Sequence, residues 1–221
     1  MISKDLMTPA LIPMKVNETG TDALFYMDEY RVSFIPVLDG ELFLGLLSES
    51  DIFKLSDPDL PLADQKVPYK MVYVNDSQHV FDVIRLMSDE KVTILPVLDE
   101  NKHYKGCISI NNLTEQFGRF TAIASPGAII ILELNQNDYV LSQIAQIVES
   151  QDMKILSLFV SSESDSTKME LTIKLNKFEI QSLIKALTRY NYIIKATFTN
   201  DEKMVDDLLD RYNALMNYLK L

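Results

Sequence analysis

The 221-residue sequence has no tryptophan, one cysteine and two histidines, and each scarcity closes off a class of chemistry. A lone Cys107 builds neither a disulfide framework nor a thiolate metal site within one chain, so a reducing compartment, the cytoplasm, is expected. His79 and His103 lie in separate segments with no second histidine one helical turn away, and neither forms a metal motif. Cations are also short: 21 Lys and Arg face 32 Asp and Glu, for a net charge of −11. A chain that grips nucleic acid displaces counterions with clustered Lys and Arg, and no such cluster appears, so nucleic acid is not an expected partner. No stretch approaches the ~18 consecutive apolar residues of a membrane span, and residues 1–9 alternate charged and apolar side chains without a signal core, which predicts no membrane insertion. The sequence has no glycine-rich phosphate cradle, no nucleophile elbow and no separable pair of acids. Neither catalysis nor a required cofactor or metal is expected.

What the chain does have is internal similarity. Residues 22–39 read DALFYMDEYRVSFIPVLD and residues 82–99 read DVIRLMSDEKVTILPVLD, with Met27 and Met87, Pro36 and Pro96, and Asp39 and Asp99 each 60 positions apart. After a turn differing by one residue, GLLSESDI at 45–52 answers GCISINNL at 106–113.

Each copy has a physical reading. Ala23, Leu24 and Met27, and likewise Val83, Ile84 and Met87, fall at helical spacing and predict a short helix with one apolar face. Residues 34–38 and 94–98 are brief, largely branched or aromatic runs, as in a strand buried on both faces. Asp39-Gly40 and residues 99–101 are turn chemistry. A second strand, 42–47 or 104–109, runs into a helix beginning near Ser48 or Ser109, where a hydroxyl is a natural N-cap. Each unit is therefore helix, strand, strand, helix.

A second period begins after residues 124–127, where Pro126 and Gly127 punctuate the chain. Strands are predicted at 129–134, 155–160, 169–175 and 192–198, with amphipathic helices at 139–148 and around Ile180, Leu183, Ile184 and Leu187, in the order βαββαβ. Residues 201–221 place Met204, Leu208, Tyr212, Leu215, Met216 and Leu219 along one helical stripe, for packing on the same chain or on a second copy. The fold class is α/β (α+β), divided into 1–60 and 61–124 as two repeats, 127–200 as a third unit and 201–221 as a terminal helix.

The repeated helix, I-P-V-L-D or L-P-V-L-D strand and G-h-h-S-x-x-D-h pattern (h apolar) resembles the CBS domain, with KDLMTP at residues 4–9 resembling its lead-in. The resemblance covers about the first 120 residues. It implies a pseudo-twofold module whose clefts receive adenosine derivatives. In the family, the acid of this motif holds the ribose hydroxyls and the hydroxyl residue touches ribose or phosphate. Ser48, Ser50 and Asp51 fall on that motif, with Ile35, Pro36 and Val37 as an apolar wall for a purine. A carboxylate accepts from two vicinal hydroxyls, which suits the assignment. In repeat 2 the weaker site is Pro96, Ser109, Asn111 and Asn112, where an amide replaces the acid and loses charge assistance. Net charge in residues 1–120, with 11 Lys and Arg against 19 Asp and Glu, favours AMP over a triphosphate.

The βαββαβ unit resembles the ACT domain, a ferredoxin-like fold that pairs sheets between subunits and often binds amino acids. Here Asn135-Gln136-Asn137-Asp138 replaces the usual Gly- or Pro-containing turn, Asn being tolerant of a left-handed conformation. The domain order resembles bacterial acetoin-utilisation regulatory proteins. Together these imply a homodimeric regulatory protein that senses an AMP-like nucleotide and acts on a target enzyme or transporter. The alternative is a structural oligomerisation protein with vestigial clefts.

Overall fold

The computed structural model describes residues 1–8, 11–162 and 167–199. The expected terminal helix at 201–221 lies outside the described residues, as does most of the loop between residues 162 and 168. The chain divides into two compact units, Met1–Phe117 and a second from Gly118 onward.

In the first unit, each repeat is strand, helix, strand, strand, helix. Repeat 1 comprises β1 (Met14–Lys15), α1 (Gly20–Tyr30), β2 (Phe34–Asp39), β3 (Leu42–Ser48) and α2 (Glu49–Ile52). Repeat 2 comprises β4 (Val74–Asn75), α3 (Val80–Glu90), β5 (Ile94–Leu98), β6 (Tyr104–Ser109) and α4 (Ile110–Phe120). The leading strands β1 and β4 add to the predicted pattern; at two residues each, they are too short to show a period. Each runs parallel to the next strand, Met14 opposite Val37 and Val74 opposite Val97, and the following hairpin is antiparallel. Both hairpins carry an irregularity at the same place, after Val37 and after Val97.

Local chemistry explains the element ends. Thr19 caps α1, accepting from the Asp22 N–H while the Asp22 carboxylate returns a bond to the Thr19 N–H. His79 caps α3 through its ring Nδ1, which accepts from the Phe81 N–H at 3.3 Å. Both helices stop at a left-handed residue, Arg31 at φ 54° and Lys91 at φ 53°. The last helices of the two repeats differ: α2 ends after four residues, whereas α4 runs for eleven. At the end of α2 the chain turns toward Asp57, for which Pro58 disfavours the helical region. Tight bonds from Lys54 N–H to Asp51 and from Leu55 N–H to Ile52 close that end.

The repeats exchange their leading segments. The N–H of Ser3 donates to Gln78 and that of Lys4 to Asp76, so the start of repeat 1 lies on the helix entry of repeat 2. Reciprocally, the N–H groups of Leu62 and Ala63 donate to Glu18 and Val16. Further along, Thr8 bridges to Cys107 on β6 and Lys70 bridges to Leu46 on β3. Glycines permit these close crossings: Gly45 lies where a Cβ would stand 2.6 Å from Tyr69 Cβ, and Gly106 where it would meet the Met7 sulfur at 2.9 Å. A core shared by the repeats holds Leu38, Phe43 and Leu46 together with Val83, Ile94, Leu95 and Cys107. A smaller one beneath α1 holds Met14, Met27, Ile35, Val37 and Leu47.

The second unit contains β7 (Ile129–Asn135), α5 (Leu141–Ser150), β8 (Ile155–Ser162), β9 (Lys168–Leu175), α6 (Gln181–Arg189) and β10 (Ile193–Phe198). The sheet order is β10-β7-β9-β8 with antiparallel neighbours, the ferredoxin-like arrangement for βαββαβ. Ile130, Leu132, Leu171 and Ile173 of the sheet are enclosed with Ile144, Ile147, Leu183 and Leu187 of the helices. The turn after β7 is a right-handed 3-10 turn over Gln136–Asp138, closed by Asn135 Nδ2 donating to Asp138 at 2.9 Å. No residue of this turn is left-handed; the side chains close it instead.

Candidate functional site

The first motif sits where β3 passes into α2. Ser48 is nearly buried, at 8% exposure, and its hydroxyl accepts from the Asp51 N–H at 3.2 Å, capping the short helix. The same oxygen donates to Asp51 Oδ2 at 2.5 Å and lies 2.9 Å from the exposed Ser50 hydroxyl. Asp51 is half-buried, and its other oxygen, Oδ1, pairs with Lys54 Nζ at 2.9 Å. Burial pushes this carboxyl upward, but the Ser48 hydrogen bond and the Lys54 ammonium outweigh it and hold the group below the usual aspartate range. The motif therefore presents an ionised acceptor whose two oxygens each have one partner from the same turn.

Strand alternation decides which apolar residues share its side. Ser48 lies opposite Phe34 in the β2–β3 ladder, so Phe34 and Pro36 project on the Ser48 face. Ile35 and Val37 point the other way, into the core beneath α1, with no exposed surface. Of the expected Ile35, Pro36 and Val37, only Pro36 lies on the Ser48 face, and it too is buried; Phe34, on the same face, is half-buried. A run read as buried on both faces hid the two-residue period that separates them.

Phe34 is half-buried at the edge of the shared core, and Lys70 Nζ stands 6.0 Å from its ring centroid. Lys70 is held by Glu90, donating to its carbonyl at 2.7 Å and pairing with its carboxylate at 3.0 Å. Repeat 2 thus contributes a cation and an acid to the border of the repeat 1 motif. Arg31 lines a neighbouring cavity of about 510 Å³ with Ser33, Glu49 and Phe53. Lys15 lines a different one with Glu18, Tyr26 and Tyr30.

The second motif has the same frame and different contacts. Ser109 lies opposite Ile94, Pro96 is buried beside Cys107, and the Ser109 hydroxyl accepts from the Asn112 N–H at 3.2 Å. Asn111 is exposed. Asn112, at the position of Asp51, turns inward: its Nδ2 donates to the Leu6 carbonyl at 2.6 Å. The amide thereby fastens the exchanged leading segment of repeat 1.

Among the described residues no group of three or more His, Cys, Asp or Glu is placed to hold a metal ion. No described helix is long and apolar enough to cross a membrane.

Two exchanged repeats, each with a hydroxyl capping the turn from strand to helix and the first with an acid three residues on, define a class, and comparison with known proteins agrees. The CBS domain model matches residues 2–57 and 67–118, so the chain carries a tandem pair of CBS domains. Among curated proteins, the magnesium transporter MgtE of Thermus thermophilus is 30% identical over 116 residues; the match spans 50% of this chain and 25% of the transporter. Among solved structures, a CBS domain pair/ACT domain protein from Thermotoga maritima is 23% identical with a TM-score of 0.49, covering 54% of this chain and 98% of that one. CBSX2, solved in complex with AMP, is 24% identical with a TM-score of 0.45, covering 54% and 97%.

Proposed function

We propose that the CBS pair senses an adenosine-type nucleotide, AMP in particular, and that the ferredoxin-like unit relays its binding to a partner. The ligand occupies the repeat 1 cleft, with its purine against Phe34, which shares a strand face with the buried Pro36, and its ribose hydroxyls on Asp51, beside Ser48 and Ser50. The observation that carries this reading is the Asp51 carboxylate, held ionised on the same side as a half-buried aromatic ring. A charged acceptor with two oxygens suits a vicinal diol, and a ring face suits a base. The surplus of acids in the first half favours one phosphate over three. A homodimer and a target enzyme or transporter complete the proposal.

Isothermal titration of the full chain with AMP, ADP, ATP and S-adenosylmethionine tests it. Binding of AMP that disappears in Asp51→Ala is expected; absence of heat with all four ligands refutes it.

A second reading, an oligomerisation protein with vestigial clefts, draws support from Asn112, whose amide is spent on Leu6. Sedimentation separates the two. An assembly whose mass and shape ignore AMP favours the structural role.

A further inference from the structure

We propose that Lys54 makes the repeat 1 cleft selective for a nucleoside 5′-phosphate over the free nucleoside, an inference that rests on the nucleotide reading above. Both Asp51 oxygens are engaged, Oδ2 by Ser48 and Oδ1 by Lys54. A ribose diol that takes the carboxylate through both oxygens must displace or share one of these partners. Ser48 is fixed, because its hydroxyl also caps α2 and its side chain is nearly buried. Lys54 is the partner that yields: its side chain is 66% exposed, it sits on a flexible stem, and an exposed ion pair is a weak tether.

Once ribose occupies Oδ1, the Lys54 ammonium has lost its counter-ion beside the ligand. A phosphate on the same ligand supplies a new one; a free nucleoside supplies none. The exchange is a charge-for-charge substitution with AMP and a net loss with adenosine. Lys70, the other cation bordering the motif, is held by two oxygens of Glu90, the carbonyl at 2.7 Å and the carboxylate at 3.0 Å, so it is far less free to follow a phosphate. Lys54 therefore carries the discrimination, although its resting role is to neutralise the residue that receives the sugar.

The test is titration of the full-length protein with AMP and with adenosine, in wild type, Lys54→Met and Lys70→Met, at low and high salt. Wild type is expected to prefer AMP by about tenfold or more, with the preference shrinking in salt. In Lys54→Met the AMP affinity falls to about that of adenosine, while adenosine binds as well as before or better, its competitor for Asp51 being gone. Lys70→Met keeps the preference. Equal losses for both ligands in Lys54→Met overturn the proposal, as does a preference that vanishes with Lys70→Met instead. Wild type that binds AMP and adenosine equally well overturns the selectivity alone, whereas wild type that binds neither overturns the nucleotide reading and this inference with it.

Discussion

Asn112 Nδ2 donates to the Leu6 carbonyl at 2.6 Å, joining residues 106 positions apart in sequence. The position is equivalent to Asp51 of repeat 1, yet the work done there is different: an amide brings a donor, which a carboxylate lacks. Asn112→Asp is therefore expected to set two acceptors against one another and to destabilise the first unit by about 1–3 kcal/mol, more than Asn112→Ala does. Denaturant unfolding of the two variants against wild type gives the comparison; an Asp variant as stable as wild type would show that the bond contributes nothing.

The two crossing glycines predict unequal penalties. A methyl at Gly45 meets Tyr69 Cβ at 2.6 Å, an atom fixed to the backbone, and Gly45 adopts φ +148°. A methyl at Gly106, at φ +159°, meets the same backbone strain but contacts the Met7 sulfur at 2.9 Å, near the end of a flexible side chain. Gly45→Ala is expected to cost roughly 2–3 kcal/mol and Gly106→Ala clearly less. Equal shifts in thermal midpoint would contradict the argument.

Asp99 predicts part of the acid response. It accepts from the His103 N–H and the Asn101 N–H, each at 2.9 Å, and pairs with Lys105 at 3.1 Å. The His103 N–H is the largest cause, and the carboxyl is held at about 2. A carboxyl depressed in the folded state adds stability above its unfolded pKa of about 3.9, and that stability is lost as pH falls through the folded value. Between about pH 4 and 2, Asp99→Asn is expected to lose less stability than wild type does. Parallel stability-versus-pH curves would remove Asp99 from the acid limb.

Cys107 is fully buried, and burial pushes its thiol up to about 12. Since the thiolate is the reactive form, a disulfide reagent such as DTNB is expected to leave native protein unmodified at neutral pH and to react fully in denaturant. Stoichiometric labelling of the folded chain would place the sulfur at the surface.

Some of this architecture is legible in the residues and some is not, for physical reasons. The 60-residue spacing of Met27 and Met87 and of Pro36 and Pro96 announces a duplicated unit, and the hydroxyl before each last helix announces its cap. Phe34 was open to the same reading, since alternate residues of a strand share a face, but a short apolar run conceals which face is which. Lys70 carries no local signal, and Leu6 none beyond its place in the lead-in. Each meets its motif only because the opposite repeat delivers it across the exchanged segments, and periodicity does not report contacts made at such separation.

The exchanged leading segments have a consequence for how the module divides. A single repeat excised from the chain would keep a strap with nothing to hold and an edge strand with nothing laid over it. Each strap is answered by the other repeat, so neither repeat satisfies its leading segment alone. Asp51 and Asn112 mark where the two halves part: at the same turn one presents an acceptor and the other donates to the strap.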